Sequence, residues 1–100
     1  MSQSPTRLVL SRARAKIESP RTWLQHAYKQ GNQYVQKRCA YQALADAAEE
    51  LNLGLSGPVG ALSQAIGGGA RNDESAIIAF NDSSQHADVL ALFDKALETV

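Results

Sequence analysis

Ala40-Tyr41-Gln42-Ala43-Leu44-Ala45-Asp46-Ala47-Ala48-Glu49-Glu50-Leu51 is the stretch whose reading decides the fold. Ala40, Ala43, Leu44, Ala47, Ala48 and Leu51 recur at i, i+3, i+4, i+7, i+8 and i+11, which lays them on one stripe of an α-helix. Asp46, Glu49 and Glu50 fall off that stripe. The expected helix runs from Lys37 to Asn52, with Gly54 as its left-handed stop. Four alanines on the buried face require a neighbouring element to approach closely.

Upstream, Ser4-Pro5 is a helix opening: the serine oxygen caps free amides and proline sits at N1, where its missing N–H matters least. The helix is expected to reach Ser19 with Val9, Ala13 and Ile17 as its stripe and Leu10 alongside, and to stop before Pro20. From Arg21 to Gln36 the helical period is lost. Gln30-Gly31-Asn32 divides Trp23–Lys29 from Gln33–Gln36, a short β-hairpin pattern that must lie on the helices, anchored by Trp23 and Val35.

Downstream, Ser56 is expected to cap a third helix that carries Pro58, Val59, Leu62, Ala65 and Ile66 and ends at Gly67-Gly68-Gly69. Residues 67–74 read as a flexible Gly-rich loop, and Ala76–Phe80, capped by Ser75, is too short for periodicity to choose helix or strand. Asn81-Asp82-Ser83-Ser84 reads as a turn that caps a last helix bearing Val89, Leu90, Phe93, Ala96, Leu97 and Val100. The expected architecture is one mainly α domain over residues 1–100, a small bundle of about four helices with a hairpin between the first two and a disordered tail at 1–4. Its core is Val9, Ile17, Leu44, Leu51, Leu62, Ile66, Ile78, Phe80, Leu90, Phe93 and Leu97, with Trp23 mostly buried.

One hundred residues at 44% hydrophobic and 20% charged suit a single core. Cys39 stands alone, so no intrachain disulfide can form and the reducing cytoplasm is the expected compartment. The longest apolar run, Ala76–Phe80, is far too short to cross a membrane, and Arg12, Arg14 and Lys16 follow Leu8-Val9-Leu10 too soon for a secretory signal. A net charge of zero conceals an asymmetry. Residues 1–38 carry eight cations against Glu18 alone, and residues 39–100 carry nine acids against Arg71 and Lys95. Either the halves neutralise each other or the surface has two poles.

Trp23, Cys39-Ala40-Tyr41-Gln42-Ala43-Leu44, the run from Ile78 to Asp82 and the run from Asp88 to Ala96 resemble, in order and spacing, a family of small bacterial and phage-encoded domains of unknown function. The likeness spans residues 8–98. It implies a fold and an association with phage or mobile elements, and no biochemical activity. In that family the segment after the tryptophan is longer and Gly-rich, whereas here it is compressed to Gln25–Arg38.

Cys39, His26 and Asp82 are the residue types of a thiol nucleophile, its base and an orienting carboxylate, though no spacing argument joins them. Lys37-Arg38 and a helix N-terminus favour a thiolate at Cys39; against that stands a small core thiol beside Ala43. Trp23, Cys39, Asn81 and Asp82 are the candidate pocket, weighed against Asn81-Asp82 as plain turn caps. With one Cys and two His, neither a metal nor a cofactor is expected, and no glycine run has phosphate-loop spacing. Leu53–Leu62 has the outline of a helix-turn-helix, but Gly57, Pro58, Gly60 and Ala61 cannot read bases.

Arg7, Arg12, Arg14, Lys16, Arg21, Lys29, Lys37 and Arg38, interleaved with Trp23, Tyr28, Tyr34 and Tyr41, form the candidate nucleic-acid surface, weighed against pairing with the acidic helices. The leading expectation is a non-enzymatic interaction or accessory module that takes a protein partner or self-associates. Nucleic-acid binding is the first alternative, and a small-molecule or thiol-dependent site around Cys39 the second.

Overall fold

The computed structural model describes residues 4–23, 39–67 and 73–100. Among them are five helices and no strand: α1 (Pro5–Lys16), α2 (Ala40–Leu51), α3 (Ser56–Ile66), α4 (Asp73–Ser83) and α5 (His86–Leu97). The mainly α class stands, with five helices in place of about four. The additional one is the segment around Ala76–Phe80, whose helix continues through Asn81, Asp82 and Ser83, the residues expected to turn. The expected hairpin lies, beyond Trp23, outside the described residues.

Local chemistry sets the helix ends. Ser4 Oγ accepts the Arg7 N–H at 3.1 Å behind Pro5, as the opening predicts, but α1 closes at Lys16 with Ile17 as C-cap, short of Ser19. α2 is stopped by Asn52 at φ 55°, not by Gly54, because asparagine tolerates the left-handed conformation and its N–H already returns to Ala48 and Glu49. Ser56 is the first residue of α3 and not its cap, which is Leu55 without a side-chain bond; Gly67 ends the helix at φ 105°. Ser75 lies inside the first turn of α4, where Asp73 and Glu74 meet the positive end of the helix dipole. Gln85, not the Asn81-Asp82 pair, caps α5, and the Asp88 carboxylate accepts the Gln85 N–H at 3.1 Å.

α1 is the central helix, packed on α2, α3 and α5, while α3 joins α4 and α5. Val9, Leu10, Ala13 and Ile17 of its stripe are fully buried, against Ala40, Ala43, Leu44 and Ala47 of α2. The alanines let the two backbones close, as their number requires. Where α3 begins, a Cβ on Gly57 would meet Thr6 Oγ1 at 2.5 Å, so the absence of a side chain there keeps the contact open to α1. Leu62 and Phe93 complete the buried centre, and Leu51, Ile66, Phe80, Leu90 and Leu97 pack against it half-buried. The core position on α4 belongs to Ile77 and not to Ile78, since one residue along a helix turns the side chain by about 100°. Trp23 is mostly buried, as expected, packed against the core with part of its surface left exposed.

Among the described residues, part of the charge asymmetry is neutralised within the fold. Arg12 and Lys16 both reach Glu50 of α2, the former at 3.5 Å. Arg14 holds Asp94 of α5 through Nε at 2.8 Å and Glu18 at 3.6 Å. The Arg7 guanidinium donates to the carbonyls of Leu97 at 2.8 Å and Val100 at 3.1 Å. No described helix is long and apolar enough to cross a membrane.

Candidate functional site

Two places answer to the candidate residues, and they are distinct. The first lies where α1 ends, α2 begins and α4 gives way to α5. Asn81, in the last turn of α4, is fully buried; its Oδ1 accepts from the Trp23 indole Nε1 at 2.6 Å and from the Ala40 backbone N–H at 3.0 Å. Its Nδ2 donates to Asp82 Oδ1 at 3.1 Å. The Ala40 amide is one of the N–H groups that a helix start leaves without an intrahelical acceptor, so one amide oxygen joins α4 to the opening turn of α2 and to the segment after α1.

Cys39 is the N-cap of α2, 9% exposed, and its Sγ accepts the Gln42 N–H at 3.4 Å. Burial pushes the thiol above its ordinary range and the Asp82 charge pushes the same way, against the lowering effect of the Gln42 and Tyr41 amides. The helix N-terminus therefore does not make Cys39 a thiolate: desolvation outweighs it. Trp23, Cys39, Asn81 and Asp82 thus meet through hydrogen bonds and charge. His26, the expected base, lies outside the described residues.

His86 is the residue the sequence did not single out. Standing first in α5, it donates from Nε2 to the Ile17 carbonyl at 2.6 Å and sets its ring 5.3 Å from that of Trp23, tilted by 37°. The Ile17 carbonyl sits at the end of α1, where helical acceptors run out. A histidine just after Ser83-Ser84-Gln85, at a helix start, is the one sequence signal, and it names no partner.

The second place is an open groove of about 450 Å³ where α4 and α5 diverge from their short link and α3 fills the angle. Ala65, Ile66, Phe80, Ala91 and Leu92 make it apolar, and Ser84, Asp88 and Lys95 give it a polar edge. None of Trp23, Cys39, Asn81 and Asp82 lines it. Among the described residues no group of three or more His, Cys, Asp and Glu could hold a metal ion. Of the candidate nucleic-acid residues, Arg7, Arg12, Arg14 and Lys16 are engaged within the fold, Arg21 is exposed, and Lys29, Lys37 and Arg38 lie outside the described residues.

The chain matches a family of unknown function (DUF6197) over residues 1–99, and it belongs to that family. Comparison with curated proteins and with solved structures finds no match.

Proposed function

We propose that this chain is a non-enzymatic interaction module whose binding surface is the groove among α3, α4 and α5, and that the buried polar cluster is the brace that fixes α4 and α5 around it. One observation carries this reading: the side chains best suited to chemistry are committed to helix ends. Asn81 Oδ1 serves two donors and Cys39 Sγ caps α2 as a buried thiol. The groove, by contrast, presents apolar side chains with charges at its edge, the composition of a contact surface.

The test is the chemistry of Cys39. Its reaction with a general thiol electrophile at pH 7.5 should be no faster than that of free cysteine, and should rise only as pH climbs above the ordinary thiol range. A folded pKa raised above the unfolded one stabilises the protein at lower pH, and that contribution is lost as pH rises through the folded value. Wild type should therefore lose stability in alkali relative to Cys39→Ser. Reaction far faster than free cysteine, abolished by His26→Ala, would place the chain among thiol enzymes instead.

A further inference from the structure

We propose that the occupant of the groove is a second copy of this chain, docked antiparallel through α5. The inference rests on the reading of the groove as the binding surface and adds its partner. Asp88, Ala91, Leu92 and Lys95 all line the groove, and at i, i+3, i+4 and i+7 they share one face of α5. That face has an acid near its start, a base near its end, about 10 Å apart along the axis, and a small exposed Ala91 between them. The midpoint of Asp88 and Lys95 falls between Ala91 and Leu92. A two-fold axis there would set Asp88 of each copy against the partner's Lys95, with Ala91 letting the helices approach; a parallel arrangement would set like charges together.

Both charges are available for this. The ion pairs among the described residues are made by Arg12, Arg14 and Lys16, and none involves Asp88 or Lys95. Asp88 accepts the Gln85 N–H through Oδ2, which leaves a second carboxylate oxygen for a lysine. A foreign segment would need no match between the two ends of one helix, whereas a self-complementary surface does. A dimer of standard size covers about 800 Å² per copy, more than the outer face of a twelve-residue helix offers, so the contact must extend over Ile66 and Phe80.

Sedimentation equilibrium of the full chain across a range of concentrations tests this, with circular dichroism confirming that each variant is folded. Wild type should show a monomer–dimer equilibrium. Lys95→Glu and Asp88→Lys should each weaken it by about ten-fold or more, because a two-fold axis repeats every like-charge clash. Mixing the two variants should restore association, since each new charge then meets its opposite on the other chain. Asp88→Asn, which keeps an acceptor for the Gln85 N–H and removes only the charge, should weaken the dimer by a smaller factor and serves if Asp88→Lys fails to fold.

A monomer at every concentration, self-association indifferent to these changes, or mixed variants that associate no better than either alone would overturn the proposal. A monomeric chain that binds an amphipathic helical peptide, and loses it on Ala91→Glu, would overturn the second copy as occupant and leave the interaction reading standing. Thiol reactivity at Cys39 tests that reading separately.

Discussion

Truncating Asn81 to alanine removes one acceptor from two donors, the Trp23 indole and the Ala40 amide, at a site with no exposure of its own. Each polar group left unpaired in a buried setting costs about 1–3 kcal/mol. Trp23 keeps some exposure and can recruit water, so Asn81→Ala should cost about 2–3 kcal/mol, lowering Tm by roughly 10–20 °C. Trp23→Phe deletes one donor and leaves Ala40 served, so about 1 kcal/mol is expected. Thermal melts of the two variants check the ordering, and equal losses would mean that the indole bond carries the brace. Residue type alone singled out Trp23, Cys39, Asn81 and Asp82. What they do was not legible, because the Asn81 bonds reach 58 and 41 residues back along the chain and no local pattern encodes such a pairing. Asparagine followed by Asp-Ser-Ser has the chemistry of a turn, and only the packing of α4 on α2 converts it into a buried acceptor.

Among the elements, α2 was the most legible and α4 the least, for one reason. Three turns of alanine and leucine at strict helical spacing fix both the type and the buried face of α2. On α4 the apolar residues run consecutively through Ala76–Phe80, so the pattern names neither the helix nor the inward isoleucine; burial of Ile77 is decided by neighbours. The alanine face carries a steric prediction. Ala43→Leu places extra methylenes between α1 and α2, where Ala43, Val9 and Ala13 are all fully buried, and should destabilise by about 1–3 kcal/mol. The same change at half-buried Ala45 should stay within about 0.5 kcal/mol. Urea denaturation separates the two, and equal effects would show that α2 does not meet α1 through its small residues.

For the whole molecule, the cations of α1 are tied to the helices that follow it: Arg12 and Lys16 to Glu50, Arg14 to Asp94 and Arg7 to the Leu97 carbonyl. Arg12→Ala with Lys16→Ala removes both partners that α1 gives Glu50, an exposed pair with Arg12 and a part-buried one with Lys16, and surface pairs of this kind are worth about 0–1 kcal/mol each. The double variant should melt a few degrees lower, a deficit that shrinks in high salt as screening weakens the pairs in wild type. Neither protein should shift a nucleic-acid probe at low salt; a shift lost in the variant, with a steep salt dependence, would restore the nucleic-acid reading. Arg14 and Arg7 extend the same logic in another direction. Their bonds to Asp94 and to the Leu97 carbonyl span 80 and 90 residues of chain. During synthesis, at about 5–20 residues per second, some 4–16 s separates the emergence of Arg14 from that of Asp94. α1 can lean on α2 in that interval, but the side it turns to α5 stays uncovered. A nascent chain of this protein therefore carries an unfinished apolar surface on α1 until α5 has left the ribosome, which makes that face of α1 a target for chaperones and proteases in the interval.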